Sequence, residues 1–355
     1  MSIRKTEFKL ELILLLCFVL LFMRAVSVVN AGENTGKTVP EQQNPVNKKD
    51  EQVNGGLLVV EYATGSENLI QKEAGIRIPT PTSSPVPTPV PVLEASLKVS
   101  DLIGVKYVKE DLLDLMYLKD NFYIVDATTK MTESEFDVEY FLSGDLSLEK
   151  SEEPQILIFH THGSEGFADS RTGAQEDTVI GAGEILAEML RDKYGYHVIH
   201  DTTIFDRKNG KDNRNYAYND ALKYMEGLLK EYPSIEVIID LHRDAGTKRV
   251  VTLNGKPTAK VMLFNGLCRN TMGKLSYLPN DNLKDNLAFS FQMKLIGDEM
   301  YPGLMSRIFL KDYRYNMHLK GRYLLVELGT GQNTVEEAKN AMEPLADILA
   351  QVLGP

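Results

Sequence analysis

Two histidines and a glutamate follow a short apolar segment, and these residue types bind metals and transfer protons. The apolar segment Ile156–Phe159 is typical of a buried strand, and His160, His162 and Glu165 come directly after it. The chain of 355 residues has only 6 histidines. Two of them at one strand end indicate a candidate site there.

Two further apolar segments end in residues of the same kind. The residues that close the segment 235–241 and follow it are Asp240, His242, Arg243 and Asp244. The segment 323–328 contains Glu327 and leads into a glycine-rich turn. Ligands of open α/β sheets bind beyond the carboxyl ends of the strands. If the three predicted strands are neighbours, their terminal side chains converge on one site.

The residue types at these strand ends match a catalytic zinc site. Such a site uses three protein ligands, commonly histidines and a carboxylate, and keeps one position open for water. Zinc lowers the pKa of that water, and a nearby carboxylate takes its proton during attack on a carbonyl. We expect Glu327 to be this base, because it stands alone beside a flexible turn. Arg243 is a candidate for bidentate binding of a substrate carboxylate, with Asp244 as a second substrate-binding candidate.

Each histidine also has a simpler interpretation. A single histidine at a strand end is often only a polar cap, but three strands that all end in ligand-type residues are much less expected by chance. His197 and His200 flank a short strand and are predicted to be structural. His318 precedes the Glu327 strand, and with Asn316 it is a candidate for binding substrate at the site.

The spacing of apolar residues from about residue 96 onward predicts alternating strands and helices. A helical segment, a strand at 122–126 and the strand 155–160 come first. The later helices are predicted at 178–194, 215–231, 283–300 and 335–353, and the later strands at 196–200, 235–241, 260–264 and 323–328. A hairpin is predicted across Asn254 and Gly255. The pattern predicts an α/β fold: a mixed, mostly parallel sheet with helices on both faces.

The N-terminal part is predicted to lie outside this domain. Residues 1–31 combine a basic flank with an apolar core, as in an export signal, and Ala31 precedes a suitable cleavage point. The apolar core is shorter than the roughly 20 residues of a spanning helix, but apolar residues beyond Arg24 leave an uncleaved anchor open. Residues 32–97 are polar and proline-rich, typical of a disordered tether. Residues 98–355 are then an extracytoplasmic catalytic domain, tethered to the membrane or secreted if cleaved.

Composition excludes other classes of protein. The formal net charge of -11 argues against nucleic-acid binding, which requires a basic surface. The two cysteines, Cys17 and Cys268, form no CxxC pair, so neither a zinc knuckle nor a disulfide framework is predicted. A hydrophobic content of 43% is enough for a sizeable core.

Four segments resemble, in order, the stage II sporulation protein P family. They are PQILIFHTHGSEGFADS, EDTVIGAGEILAEMLRDKYGYHVIHDTT, PSIEVIIDLHRDA and YNMHLKGRYLLVELGTGQNTVEEA. The resemblance covers roughly residues 100–353, and the predicted anchor and linker suit the same layout. It implies a membrane-tethered, zinc-dependent N-acetylmuramoyl-L-alanine amidase of endospore-forming Firmicutes, with added endopeptidase activity on peptidoglycan cross-links during forespore engulfment. It also implies the stage II sporulation proteins D and M as partners.

The predicted fold is also similar to the broader zinc amidases, and this implies a ligand set. The matching positions are His162, Glu176 and His242, with Glu327 as the catalytic acid and base. The spacing from His162 to Glu165 is similar to that of zinc carboxypeptidases, which makes Glu165 an alternative third ligand. His160 is another alternative, and Glu176 is placed only slightly ahead of Glu165.

Two rival functions stay open at this point. One is a zinc carboxypeptidase or endopeptidase that trims stem peptides. The other is a wall-binding scaffold that keeps the fold without catalysis. Glu327 argues against the scaffold, because a protein that only binds has no need of an acid or base at that position.

Overall fold

The computed structural model describes residues 98–354. The predicted signal or anchor segment (1–31) and the predicted linker (32–97) lie outside the described residues. Among the helices of residues 98–354, none is both long enough and apolar enough to cross a membrane.

The described residues form nine α-helices and thirteen strands. The helices are α1 (Val99–Leu102), α2 (Lys109–Leu113), α3 (Leu115–Asn121), α4 (Val138–Ser143), α5 (Val179–Asp192), α6 (Ala217–Glu231), α7 (Leu283–Met300), α8 (Val335–Asn340) and α9 (Met342–Leu353). The strands are β1 (Tyr123–Val125), β2 (Ile156–Phe159), β3 (Val198–His200), β4 (Arg207–Lys208), β5 (Lys211–Asp212), β6 (Val237–Asp244), β7 (Val250–Leu253), β8 (Lys256–Ala259), β9 (Val261–Gly266), β10 (Arg269–Asn270), β11 (Gly273–Lys274), β12 (Ile308–Lys311) and β13 (Arg322–Thr330).

Seven of the strands form the central sheet, in the order β1-β12-β9-β13-β6-β2-β3. Neighbouring strands are parallel except for β13 and β9, which are antiparallel. The three strands that carry the candidate site residues, β2, β6 and β13, therefore lie side by side and run in one direction. The predicted fold class is confirmed.

Side chains alternate across the sheet and divide the core into two parts. Ile156 and Ile158 of β2 belong to a larger core, which α5, α7 and α9 cover. Leu157 and Phe159 belong to a smaller core on the other side, which α6 covers. We call this second side the α6 face. Successive side chains of a strand point to opposite faces of the sheet, so a shift of one residue would exchange the two faces. The same alternation determines on which face each polar side chain near the strand ends lies.

Local sequence signals explain where the helices around the site begin. The Thr178 side chain accepts a hydrogen bond from the amide of Ile180 and begins α5, as an N-cap residue does. Thr334 and Glu337 form a reciprocal capping box at the start of α8. The helical segments predicted at 178–194, 215–231, 283–300 and 335–353 are confirmed, the last as two consecutive helices.

Strand β12 was not predicted from the sequence. Its four residues, Ile308–Lys311, carry too short a pattern to separate a strand from a loop. The strand exists because it pairs with β1 and β9, whose residues are far from it in the sequence. The hairpin predicted at Asn254 and Gly255 is confirmed as β7 and β8, which form a small sheet of their own.

Gly183 lets α5 approach the ends of β2 and β3 closely. A Cβ atom at this position would lie 2.7 Å from Cε1 of His160 and 2.8 Å from Nε2 of His200. Both rings are held by hydrogen bonds, so the helix rather than the rings would have to move. A Cβ atom added to Gly227 on α6 would have no neighbouring atom within 4 Å.

We predict that Gly183→Ala lowers the free energy of unfolding by about 1–3 kcal/mol, because the added methyl group overpacks a rigid contact. Gly227→Ala is the matched control and is expected to stabilise the protein by about 0.5–1 kcal/mol, since it removes a glycine from a helix interior. Chemical denaturation of the two variants checks both values. A Gly183→Ala protein as stable as the wild type would contradict the close approach.

Candidate metal centre and active site

The register of the central sheet brings the side chains of Asp240, His242 and Glu327 to one edge of the α6 face. Glu327 on β13 lies directly opposite His242 on β6, and Phe159 on β2 lies opposite Asp240. Asp240 and His242 follow the alternation of Ile238, which belongs to the smaller core. The carboxyl ends of β2, β6 and β13 therefore meet at a single site.

Three residues at this edge form a candidate metal centre: His162, Glu165 and His242. One possible ligand atom from each lies within 4.8 Å of the other two. Nδ1 of His162 is 3.6 Å from Oε1 of Glu165, and Nδ1 of His242 is 3.6 Å from Oε2 of the same carboxylate. The two imidazole rings are nearly perpendicular, with centroids 5.0 Å apart. Two imidazole nitrogens and one carboxylate are a donor set that zinc prefers, so these residues fit the ion.

The charges in the cluster are strongly coupled. Burial alone would raise the pKa of Glu165, but His162 and His242 outweigh it and hold this pKa far below its usual range. Burial would lower the pKa of His242, but Asp240 and Glu165 raise it well above its usual value. The cluster thus favours a positive charge among its carboxylates, and a proton or a metal cation can supply it.

Asp240 lies behind His242 and is itself held firmly. Its Oδ1 is 2.8 Å from Nε2 of His242. This contact is an ion pair, and its angles do not meet those of a hydrogen bond. Thr161 donates to the two carboxylate oxygens through its amide (2.8 Å) and its hydroxyl (2.7 Å). A carboxylate on the far nitrogen of a metal-binding imidazole orients the ring. Asp240 is placed to do this for His242.

Glu327 is the acid–base candidate of the site. Its Oε2 is buried and has no hydrogen-bond partner among residues 98–354. Burial raises the pKa of Glu327 to about 7; the charge of His242 opposes this change, and the charge of Glu165 adds to it. A carboxyl group with a pKa near neutrality can both accept and return a proton at neutral pH.

Tyr218, at the start of α6, covers the two histidines. Its ring centroid is 5.5 Å from that of His162, and it stacks on His242 at 6.3 Å with an interplanar angle of 15°. Asn316 donates from Nδ2 to the Tyr218 carbonyl oxygen at 2.9 Å. Tyr315 and Asn316 both have left-handed backbones, with φ of 48° and 58°, which costs about 1–3 kcal/mol for each such residue. This turn contacts Tyr218 both through that hydrogen bond and through the Tyr315 ring, whose centroid is 5.4 Å from that of Tyr218.

Glu176 lies outside the cluster. It belongs to a short 3₁₀ helix, Gln175–Asp177, and its side chain is 62% exposed. Its Oε1 accepts a hydrogen bond from Nη2 of Arg171 at 2.9 Å. The structure therefore places Glu165, and not Glu176, beside the two histidines.

His160 lies on the opposite side of the sheet from the cluster, because it continues the alternation of Ile156 and Ile158. Its Nδ1 donates to the Leu241 carbonyl oxygen at 2.9 Å, and its Nε2 is 2.9 Å from Nε2 of His200. Nδ1 of His200 is 2.7 Å from Oε2 of Glu184. Burial lowers the pKa of His160 to about 3, so the ring is neutral. His160 belongs to this hydrogen-bonded chain and not to the candidate metal centre.

Arg243 contacts the cluster through its backbone. Its amide donates to Oε2 of Glu165 at 3.0 Å. Its guanidinium is bound by backbone carbonyl oxygens, with Nε donating to Gly166 and Nη1 to Asp244. The Asp244 carboxylate forms an ion pair of 2.5 Å with Arg249. Both side chains that were predicted to bind substrate are thus bound to other groups of the protein in this structure.

His318 is half-buried on the 3₁₀ helix Met317–Leu319, and no contact joins it to the cluster among the described residues. Burial lowers its pKa to about 4, and the charge of Arg314 acts in the same direction. Its Nδ1 is buried without a hydrogen-bond partner in the described part of the chain. His318 is thus a neutral side chain near the strand that carries Glu327.

Sequence reasoning missed two residues of the site, Arg214 and Tyr218. Arg214 donates from Nη2 to Oε1 of Glu165. The two residues lie in the segment RNYAY that leads into α6, on a part of the chain with no strand-end signal. Only their position at the start of the helix predicted at 215–231, with Arg214 just before it and Tyr218 in its first turn, could have pointed to them.

The fold and the site define an α/β protein with a His–Glu–His centre at the carboxyl ends of its strands. A family model described as stage II sporulation protein P (SpoIIP) matches residues 101–350, and the chain belongs to this family. The stage II sporulation protein P of Bacillus subtilis (strain 168) is 25% identical over 214 residues, which are 56% of this chain and 50% of that protein. The chain thus spans about half the length of this curated relative.

Two solved amidase structures are similar to this chain at a lower sequence identity. The apo form of the N-acetylmuramyl-L-alanine amidase Ami1 from Mycobacterium abscessus has a TM-score of 0.35 and 11% identity, over 57% of this chain and 97% of that one. The N-acetylmuramoyl-L-alanine amidase from Clostridium difficile 630 has a TM-score of 0.35 and 15% identity, over 57% and 96% of the two chains.

The candidate centre predicts which substitutions abolish zinc binding. His242→Ala and Glu165→Gln should weaken zinc binding by more than the about 10–100-fold that loss of an outer partner causes, because each removes a ligand. Glu176→Gln should bind zinc as the wild type does, and so should the control His197→Ala, whose ring is exposed. Competition titration with a chromophoric chelator measures the affinities. Loss of zinc in Glu176→Gln with retention in Glu165→Gln would reverse the assignment.

The raised pKa of Glu327 predicts how stability depends on pH in the metal-free protein. The folded state holds the proton up to about pH 7, whereas an unfolded glutamate releases it near its usual value of 4.5. The contribution of Glu327 is therefore fully present below about pH 4.5 and is lost as the pH rises to about 7. As the pH rises through this window, the free energy of unfolding of Glu327→Gln should increase relative to that of the wild type, by at most about 3 kcal/mol.

Denaturation at pH 4.5, 6 and 8 with a chelator present measures this difference. Glu188→Gln, an exposed carboxylate on α5, serves as the control and should show no such trend. A difference between wild type and Glu327→Gln that is constant with pH would show that Glu327 titrates normally.

Proposed function

We propose that this protein is a peptidoglycan hydrolase of sporulation that cleaves the amide bond between N-acetylmuramic acid and L-alanine with the help of zinc. The observation that carries the proposal is Glu327, whose Oε2 is buried without a hydrogen-bond partner among the described residues and which lies in register with His242 of the candidate metal centre. Membership of the stage II sporulation protein P family supports the connection with sporulation.

The proposed zinc ligands are His162, Glu165 and His242. When bound, zinc supplies a Lewis acid that polarises the amide carbonyl and eases deprotonation of water. Asp240 and Thr161 hold the His242 ring in place from behind. Tyr218 covers both rings and limits the access of bulk water.

Glu327 carries the proton transfers in this mechanism. Its carboxylate takes a proton from the attacking water as the water oxygen bonds to the carbonyl carbon. The carboxyl group then gives the proton to the amide nitrogen as the carbon–nitrogen bond breaks, which leaves a carboxylic acid and a free amine. Burial raises the pKa of this carboxyl group above its usual value, which favours return of the proton to the leaving nitrogen.

The same machinery would cleave the peptide cross-links of peptidoglycan, because these are amides too. We therefore include endopeptidase activity in the proposal, as the family resemblance implies. Arg243, Asp244, Asn316 and His318 remain proposed substrate-binding residues. Asn316 also helps to position Tyr218, because its Nδ2 donates a hydrogen bond to the Tyr218 carbonyl oxygen.

An inactive scaffold is the less favoured function. A buried carboxylate oxygen without a hydrogen-bond partner, such as Oε2 of Glu327 among residues 98–354, costs stability, and a domain that only bound the wall would be more stable without it. Retention of Glu327 beside the cluster is expected of an enzyme.

We further propose that the protein acts outside the cytoplasm. Residues 1–31 would serve as the membrane anchor, and residues 32–97 as a tether between the membrane and the catalytic domain. The stage II sporulation proteins D and M are the proposed partners, on the basis of the family resemblance.

Digestion of purified peptidoglycan by the purified full chain, read by mass spectrometry, tests the function. We expect free stem peptides with an N-terminal L-alanine, no products after chelation, and recovery on addition of zinc. Glu327→Gln should lower turnover at least about 100-fold while zinc content stays at the wild-type level. Glu188→Gln is the control and should digest the wall normally.

Other outcomes separate the alternatives. Products trimmed only at the carboxyl end of the stem would identify a carboxypeptidase. Wall binding without any product, in a protein shown to contain zinc, would identify a scaffold. Full activity in a protein verified to be free of metal would exclude zinc chemistry.

A further inference from the structure

Arg214 places a guanidinium at the exposed side of the candidate metal centre. Its Nη2 donates to Oε1 of Glu165, and its side chain is 47% exposed while that of Glu165 is 2% exposed. The guanidinium therefore lies next to Glu165, one of the three proposed ligands, on the exposed side of the centre.

The chain around Arg214 is held in place by its neighbours. Oδ1 of Asp212 accepts a hydrogen bond from the Arg214 amide at 3.1 Å. Asn213 donates from Nδ2 to the Phe205 carbonyl oxygen at 2.8 Å and to Oδ2 of Asp220 on α6 at 2.9 Å. The backbone of Arg214 is thus fixed against α6, while its long side chain is free to change partner.

Most donors of Arg214 are unused. Its Nη2 contacts Glu165, but Nε and Nη1 have no hydrogen-bond partner among residues 98–354. Arg243 differs, because its Nε and Nη1 both donate to backbone carbonyl oxygens. A guanidinium with free donors beside a cluster of this kind is suited to bind a negatively charged oxygen.

We propose that Arg214 is a catalytic residue whose guanidinium donates to the carbonyl oxygen of the scissile amide. This rests on the proposed function. In the free protein the guanidinium neutralises Glu165, its one side-chain partner within residues 98–354. A cation bound by Glu165 would take over that neutralisation and leave the donors of Arg214 to the substrate.

The chemistry requires such a donor. As the water oxygen bonds to the carbonyl carbon, the electron pair of the carbon–oxygen double bond moves onto the carbonyl oxygen. That oxygen becomes negative and returns the pair when the carbon–nitrogen bond breaks and Glu327 protonates the nitrogen. Donors aimed at a developing oxyanion lower the barrier because they bind the transition state more tightly than the substrate.

Turnover on purified peptidoglycan by the full chain tests this inference. Arg214→Gln should lower kcat about 10²–10³-fold, the usual effect of losing one oxyanion donor, with KM little changed. Arg214→Lys keeps the charge but lacks the planar fork, and should recover part of the lost kcat. Arg207→Gln, an exposed arginine on β4 of the same connection, is the matched control and should match the wild type.

Zinc affinity provides a readout that does not depend on activity. Arg214→Gln should bind zinc as tightly as the wild type or up to about fivefold more tightly, because it removes a competing cation from Glu165. Binding that is tenfold weaker or worse would mean that Arg214 only supports Glu165, and would overturn the proposal.

The kinetic outcomes separate the remaining possibilities. An Arg214→Gln enzyme with normal kcat and raised KM would show that Arg214 binds a substrate carboxylate in the ground state, which contradicts the oxyanion assignment. Normal kcat and KM would refute any contact with substrate. A wild-type protein and an Arg207→Gln control that both bind zinc but release no muramoyl-linked product would instead refute the proposed function.

Discussion

A buried carboxylate between two imidazoles is the constraint around which this end of the fold is arranged. Glu165 is 2% exposed, and removing an ionised carboxylate from water costs about several kcal/mol unless other groups replace the water. His162 is close to it in the sequence, but His242, the Arg243 amide and the Arg214 guanidinium come from other elements. The end of β2, the end of β6 and the start of α6 must therefore meet at this one side chain.

The same neighbours give two carboxylates opposite properties. Glu165 accepts hydrogen bonds from the Arg243 amide and the Arg214 guanidinium and lies near two imidazoles, which keeps it ionised. Oε2 of Glu327 is buried without a hydrogen-bond partner in the described part of the chain, and the charge of Glu165 adds to burial in raising the pKa of Glu327 towards neutrality. One group is thus suited to hold a cation and the other to move a proton. Environment, not residue type, gives the two carboxylates different properties.

The sequence by itself determined the helices, most strands of the central sheet and three positions of the candidate site. Helical and strand periodicity are local properties, so they can be read without knowledge of the fold. His162, His242 and Glu327 could be singled out because ligand-type residues at the carboxyl ends of apolar strands point to a site. Strand β12 could not, since four residues carry too little pattern and its partners are distant in the sequence.

Only the tertiary structure decided which groups complete the site. Glu165 and Glu176 both precede α5 and look equivalent in the sequence, but the Arg243 amide of β6 holds the first and exposed Arg171 holds the second. Arg214 reaches Glu165 across 49 positions of the chain. The pKa of Glu327 depends on burial and on charges from other strands. These properties are set by distances between residues far apart in the sequence, and such distances exist only once sheet register and helix packing are in place.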